Sequence, residues 1–134
     1  MAKRLSRNYL QRLEKRLSRW KFATEVRVIR SKYLVEVDAG YLRLRVLLEN
    51  GDLLEVSEYV TGESGKIELI SYTYHWQSAQ GKLKKRWDNA PHHPRVESHP
   101  FHVHETSEQN ILTSEPMTLR KILLLIEKEL TRSK

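Results

Sequence analysis

Most of the histidines of this chain fall in one proline-rich segment. Five of the six histidines and all four prolines lie within residues 89–117. The histidines are His92, His93, His99, His102 and His104, and the prolines are Pro91, Pro94, Pro100 and Pro116. Histidine transfers protons near neutral pH and, in its neutral form, binds metal ions. A non-repetitive stretch of this length inside a compact domain is usually functional or mobile, so the segment carries the candidate chemistry of the chain.

General acid–base catalysis is the first interpretation of this segment. Cleavage of RNA without a metal needs a base for the 2′-hydroxyl, an acid for the leaving oxygen and a cation for the phosphorane. Histidines fill the two proton roles, and an arginine or lysine from a neighbouring strand fills the third. Asp88 stands where it can orient an imidazole, and Pro91 and Pro94 restrict the backbone around the histidine pair between them. The candidate catalytic residues are His75, Arg86, Asp88, His92 and His93.

Two other interpretations of the histidines remain open. His102 and His104 point the same way on an extended chain, and a carboxylate such as Asp88 or Glu105 could complete a divalent-metal site. Their spacing matches no named zinc or iron motif, so we predict no metal cofactor and keep His102 and His104 as the alternative ligands. In the remaining interpretation, the histidines belong to a proline-rich strap that packs across a sheet and satisfies backbone groups.

The composition excludes several classes of protein. The chain has 134 residues and no cysteine, which excludes disulfide frameworks, thiolate zinc sites and cysteine nucleophiles. Its five glycines are spread through turns and form no phosphate-binding loop. The longest apolar run, Ile122–Ile126, is far shorter than the roughly 20 residues of a membrane helix, and no signal-peptide stretch is visible. We therefore expect a single cytoplasmic domain over residues 1–134, with no membrane partner.

The net charge of the chain lies in its first segment. Residues 1–22 hold eight Lys and Arg side chains against one acid, Glu14, a net charge of +7 that equals the net charge of the whole chain. Apolar residues recur there at helical spacing and predict an amphipathic helix over residues 4–22. Its basic side chains indicate an anionic partner or, alternatively, a solvated helix face. The candidate nucleic-acid contacts on this helix are Arg12, Lys15, Arg16 and Arg19.

From residue 25 the hydrophobic period changes to two, which predicts β-strands. Tyr33, Val35 and Val37 alternate, and the dipeptide Asn50-Gly51 is a strong hairpin signal. We expect an antiparallel meander of about five strands over residues 25–89. A His/Pro-rich loop over 90–117 follows it, and a C-terminal helix over 118–132 begins with Thr118 as its N-cap.

The last predicted hairpin sets which side chains share a face. If residues 78–81 form a four-residue loop, Trp76 lies opposite Leu83 and Tyr72 lies opposite Trp87. One face is then largely aromatic and consists of Ile70, Tyr72, Tyr74, Trp76, Leu83 and Trp87. The other is polar and consists of Thr73, His75, Lys84, Arg86 and Asp88.

The predicted fold class is α+β, with the N-terminal and C-terminal helices packed on one face of the antiparallel sheet. The other face carries further cations, which form either a platform for single-stranded nucleic acid or a solvated outer surface. The candidate nucleic-acid contacts on the sheet are Arg43, Arg45 and Lys84.

Six sequence blocks, in this order, resemble a known family. They are Tyr41-Leu42-Arg43-Leu44, Glu49-Asn50-Gly51, Glu58-Tyr59, Tyr72-Thr73-Tyr74-His75-Trp76-Gln77, Arg86-Trp87-Asp88-Asn89-Ala90-Pro91-His92-His93-Pro94 and Ser114-Glu115-Pro116-Met117-Thr118-Leu119. Over about residues 30–130 the chain is similar to the TumE family of prokaryotic toxins from toxin–antitoxin pairs. The polar blocks of that family fall on His75, Arg86, Asp88, Asn89, His92 and His93, and then on His102 and His104.

The resemblance implies a cytoplasmic toxin that is encoded beside its antitoxin. Together with the histidines, it favours an RNA-cleaving enzyme that uses histidine acid–base chemistry. The alternative function is a non-enzymatic module that binds nucleic acid or protein through the basic N-terminal helix. Because a basic toxin surface has to be masked in the silent pair, we expect the antitoxin to be acidic and to come from the neighbouring gene.

Overall fold

The computed structural model describes residues 4–132; Lys3, one of the basic residues of the first segment, lies outside this range. A helix stands at each end: α1 is Leu5–Arg19 and α2 is Leu119–Arg132. The seven strands between them are β1 Ala23–Leu34, β2 Ala39–Leu48, β3 Leu53–Thr61, β4 Glu68–Gln77, β5 Leu83–Asp88, β6 His102–Glu105 and β7 Ile111–Thr113. The first helix is thus three residues shorter at its C-terminus than the predicted span of 4–22, because the backbone turns extended at Trp20.

The N-terminus of α1 is capped from a distant loop. A 3₁₀ turn over Val35–Val37 replaces the predicted end of the first strand, and Asp38 follows it with a φ of 45°. The Asp38 carboxylate accepts hydrogen bonds from the backbone N–H groups of Leu5 and Ser6 at 3.3 and 3.1 Å. Two of the amides that a helix leaves without intrahelical partners are thereby satisfied, which fixes α1 against the β1–β2 connection.

All seven strands form one antiparallel sheet in the order of the chain. The prediction of about five strands is too low, because β6 and β7 fold within the segment that was predicted as a loop. These two strands have only four and three residues, so neither leaves a long alternating pattern in the sequence. The predicted Asn50-Gly51 turn does connect two strands, and Gly51 takes a φ of 91° that favours glycine.

The predicted register of the β4–β5 hairpin is wrong by two residues. Trp87 lies opposite Tyr74, and Trp76 lies opposite Lys85, with an irregularity between Trp76 and Gln77. A shift of two residues leaves most side chains on their predicted face. Ile70 is an exception. Its neighbours Ser71 and Leu69 pair with Tyr59 and Val60 of β3, so Ile70 is the unpaired residue of a bulge and is 46% exposed.

The core lies between the two helices and one face of the sheet, which confirms the predicted α+β class. The buried residues from the sheet are Leu42, Leu44, Val46, Leu48, Leu54, Val56, Val60, Tyr72, Tyr74, Trp76, Trp87 and Val103. Those from the helices are Leu10, Leu13, Leu17, Leu119, Ile122, Leu123, Ile126 and Leu130. The indole N–H of Trp20, the residue that directly follows α1, donates to the Glu127 carboxylate of α2 at 2.7 Å. The opposite side of the sheet, called the outer face below, carries the polar residues of each strand.

Candidate active site on the outer face

Strand pairing assembles two rows of polar side chains across the outer face. Directly paired residues of neighbouring strands lie side by side on the same face. The first row is Arg27, Arg45, Glu55, His75, Arg86 and His104. The second row is Arg30, Arg43, Ser57, Thr73, Asp88 and His102. The histidines of the short strand β6 thereby come to lie beside Arg86 and Asp88 of β5.

Asp88 is the centre of a buried group of imidazoles. Its Oδ1 lies 2.8 Å from Nε2 of His102, and its Oδ2 lies 3.7 Å from Nε2 of His104. The three residues are only 6%, 2% and 2% exposed, although they belong to the outer face. The segment between β5 and β6 covers them, and it brings His93 into the same group. Asp88, His93, His102 and His104 are called the histidine cluster below.

Hydrogen bonds to the backbone fix the orientation of two rings. Nδ1 of His102 lies 2.9 Å from the carbonyl oxygen of Pro100, and Nδ1 of His104 lies 2.8 Å from that of Glu108. Because a carbonyl oxygen only accepts, both Nδ1 atoms carry a proton. Nε2 of His102 then faces the Asp88 carboxylate at 2.8 Å.

Arg86 closes one side of the histidine cluster. Its Nη2 lies 3.1 Å from Nε2 of His104, and since arginine only donates, this ring nitrogen of His104 is the acceptor. The same guanidinium pairs with Glu108 at 2.6 Å and with Asp88 at 3.4 Å. Its side chain is 29% exposed, so this positive charge is reachable from solvent.

His93 is the accessible imidazole of the cluster. Its ring centroid lies 4.9 Å from that of His102 and 5.5 Å from that of His104, in edge-to-face geometry. His93 is partly exposed. Partial burial, followed by the nearby imidazoles of His102 and His104, lowers the pKa of His93. A neutral imidazole with an available lone pair therefore faces the surface at neutral pH.

The remaining predicted site residues lie outside the cluster. His75 is on the outer face beside Arg86, with Nε2 3.0 Å from Oε1 of Gln77. His92 and His99 are exposed. The ammonium group of Lys84 pairs with Asp52 at 2.6 Å and lies over the Trp76 ring. Glu105, the other predicted metal carboxylate, faces the helix side, two residues beyond the buried Val103.

Three cations that sequence patterns did not reveal extend the outer face at its far end. Arg27, Arg30 and Lys32 of the edge strand β1 pair with Arg45, Arg43 and Tyr41 of β2. Strict alternation fails to reveal them because a bulge separates Val28 from Arg30. The basic end of the outer face consists of Arg27, Arg30, Lys32, Arg43 and Arg45.

The basic end and the histidine cluster are joined by a shallow groove. This groove has a volume of about 290 Å³ and is lined by Tyr41, Arg43, Glu55, Val56, Ser57, Thr73 and His75. Glu55 binds Arg43 and Arg45, each at 2.8 Å. The basic helix α1 does not reach this face, because it packs on the opposite side of the sheet.

Comparison with known proteins places this chain among the toxins of toxin–antitoxin systems. A family model described as toxin TumE matches residues 13–133, which is most of the chain. The chain belongs to the TumE family, as its sequence blocks predict, and membership implies an antitoxin partner. No curated protein and no solved structure matches it. Within residues 4–132, neither helix is both long and apolar enough to cross a membrane.

Proposed function

We propose that this toxin cleaves RNA at the histidine cluster by acid–base catalysis. The observation that carries the proposal is the position of His93, a neutral and accessible imidazole that is packed against a buried imidazole–carboxylate pair and lies near Arg86. Cleavage through the 2′-hydroxyl requires a base, an acid and a cation. The outer face offers a residue of each kind within one stretch of its surface.

The residues take different roles in this proposal. His93 is the general base that removes the 2′-hydroxyl proton, because its lowered pKa keeps the imidazole neutral. Arg86 stabilises the charge of the phosphorane, and His75, its neighbour on β4, is the acid for the leaving 5′-oxygen. Asp88 and His102 are buried, so they are positioning residues that hold His93 and Arg86 in place.

We further propose that the RNA strand crosses the groove from the basic end to His93. Three lysine and arginine side chains of β1 lie at the start of this path, and the partly buried Tyr41 offers a ring on which a base can stack. Single-stranded RNA fits such a surface better than duplex does, since a flat sheet reaches unstacked bases.

The basic face of α1 has a separate role in the proposal, as the surface for an acidic segment of the antitoxin. The exposed residues Arg12, Lys15, Arg16 and Arg19 lie across the sheet from the histidine cluster. One short RNA segment therefore cannot contact both. A non-enzymatic binding module that uses α1 is the second candidate function, and the concentration of the net charge in this helix favours it.

The experiment compares two neighbouring histidines. A labelled single-stranded RNA and the DNA of the same sequence are incubated with the wild type, His93→Ala and His92→Ala. We expect cleavage of the RNA alone, with a 2′,3′-cyclic phosphate product, and a loss of about 10²–10⁴-fold for His93→Ala. His92→Ala is the matched control, because its exposed ring is not in the cluster. Both variants should keep the unfolding midpoint of the wild type.

Three results would contradict the proposed function. Equal cleavage of the DNA strand would exclude attack by a 2′-hydroxyl. Equal activity of the two histidine variants would remove His93 from the chemistry. Intact RNA under all conditions, together with toxicity in cells, would favour the binding module instead.

A further inference from the structure

We propose that His93, His102 and His104 bind one divalent transition-metal ion, best matched by zinc, and that the bound ion silences the catalytic centre. One ring nitrogen of each of these histidines lies within 4.8 Å of the other two. The sequence predicted no metal cofactor, and the alternative ligands that it offered were only His102 and His104 with a carboxylate. The third nitrogen comes from His93, which the fold brings back over β6.

The orientation of the buried rings is that of metal-binding histidines. A histidine ligand typically donates its second N–H to a backbone carbonyl or a carboxylate, which fixes the tautomer and directs the other nitrogen to the metal. His102 and His104 both donate from Nδ1, to Pro100 and Glu108 respectively. Their Nε2 atoms therefore face inward, toward Asp88.

Asp88 supplies the negative charge that such a site needs. Its carboxylate oxygens lie 2.8 and 3.7 Å from the two Nε2 atoms, so it is the fourth donor within reach of His102 and His104. Three imidazoles and one carboxylate suit zinc, whereas magnesium and calcium prefer an all-oxygen shell.

Two small movements convert the cluster into a metal site. Zinc holds nitrogen ligands at about 2.0–2.1 Å, so the three nitrogens have to approach one another more closely than they do here. His93 makes this approach most easily, because it is partly exposed and lies outside the sheet. Arg86 has to give up its contact with Nε2 of His104. It can do so while it keeps its 2.6 Å ion pair with Glu108.

The ion would act as an inhibitor because a ring nitrogen that binds a metal cannot accept a proton. With His93 bound, the general base is removed from the reaction. This consequence rests on the proposed function, but binding of the ion does not. Available zinc would thus set the active fraction of the toxin independently of the antitoxin.

Binding is tested on the purified full-length chain after treatment with a chelator and dialysis. Zinc is titrated calorimetrically, and cobalt(II) is titrated by its visible absorption, which reports tetrahedral coordination. We expect one ion per chain, about 100-fold weaker binding for His93→Ala and unchanged binding for His92→Ala. His93→Ala avoids the buried rings, so the variant should remain folded. No saturable binding, or equal binding by the two variants, would overturn the site.

The activity arm separates this inference from the proposed function. RNA cleavage by the metal-free protein should fall as one equivalent of zinc is added and recover with EDTA. If cleavage instead requires zinc, the inhibitory role is wrong. If the protein binds zinc at His93 but cleaves no RNA with or without it, the metal site stands and the proposed function fails.

Discussion

Two buried carboxylates lie on opposite faces of the sheet in contrasting surroundings. Asp88 pairs with Arg86 at 3.4 Å and lies 2.8 Å from Nε2 of His102. Glu58 is 1% exposed within the core and has only hydroxyl donors in its hydrogen bonds, from Tyr9 at 2.6 Å and Tyr74 at 2.7 Å. Burial raises the pKa of Glu58 more than these two hydrogen bonds lower it. Glu58 therefore makes the core sensitive to pH.

The raised pKa of Glu58 fixes the sign of that sensitivity. The folded protein holds the Glu58 proton more tightly than the unfolded chain does. This contribution to stability is complete below the unfolded pKa, near 4.5, and is lost as pH rises through the folded value. The free energy of unfolding of the wild type should therefore fall relative to that of Glu58→Gln as pH rises above about 4.5.

Glu55→Gln is the matched control, because Glu55 lies on the same strand but on the outer face. Partial burial raises its pKa, but the hydrogen bonds and charges of Arg43 and Arg45 outweigh this and lower it. Its contribution is present above the unfolded pKa and is lost as pH falls, so the difference from the wild type has the opposite sign. Denaturant unfolding from about pH 2 to about pH 8 measures both, because the loss for Glu55 falls below its unfolded pKa and the loss for Glu58 falls above it. Equal pH profiles for the wild type and Glu58→Gln would contradict the account of Glu58.

At the scale of elements, the basic charge of the protein is divided between α1 and the edge strand β1. The exposed cations of α1 dominate the sequence, but they lie across the sheet from the histidine cluster. Those of β1 extend the two rows that reach Arg86 and Asp88. An RNA strand that crosses the outer face, as proposed above, would meet the cations of β1 and not those of α1, so we expect the strand cations to contribute more to its binding.

Two variants, each with four positive charges removed, separate the contributions of these elements to RNA binding. The α1 set is Arg12, Lys15, Arg16 and Arg19, and the outer-face set is Arg27, Arg30, Lys32 and Arg43, all changed to glutamine. The slope of log affinity for single-stranded RNA against log salt should fall by about 0.7 for each phosphate that the variant no longer neutralises. We expect this reduction, up to about 3, in the outer-face set and little change in the α1 set. The opposite result would assign RNA binding to α1, with circular dichroism as the control for folding.

At the scale of the whole molecule, the sheet separates two surfaces of different chemistry. The helix side has the basic face of α1, and the outer face has the groove and the histidine cluster. An antitoxin that covers α1 and one that covers the groove would neutralise the toxin in different ways. The net charge of α1 favours an acidic segment on the helix side, because complementary charge speeds association and like charge opposes it.

Co-expression with the neighbouring gene tests this arrangement. We expect an acidic partner to co-purify with the toxin, and we expect the α1 set to weaken the complex more than the outer-face set does. Binding by calorimetry at two salt concentrations gives the electrostatic share of the affinity. Three results would count against an acidic antitoxin on α1. They are a basic product of the neighbouring gene, a gene product that does not co-purify, and a weakening of the complex only by the outer-face set.

Local patterns in the sequence were sufficient for much of this protein. The helical spacing of Leu10, Leu13 and Leu17 and the alternation along β2 predict which side chains are buried, because burial follows the period of each element. The α+β class and the TumE family were also predictable, the latter from blocks such as the one around Asp88. Arg86 and His93 belong to the same block and do lie near Asp88 in the fold, while the roles of these residues stay a proposal.

Only the tertiary structure decided which of the polar side chains meet. His102 and His104 reach Asp88 through a four-residue strand that was predicted as loop, and Lys84 turns to Asp52 instead of joining the outer face. The cations of β1 enter the same face only because a bulge changes the alternation at Arg30. Hydrophobic periodicity predicts only which face of its own helix or strand a side chain lies on. Register, bulges and the return of a loop depend on turn lengths and on contacts between residues far apart in the chain, and these leave no local pattern.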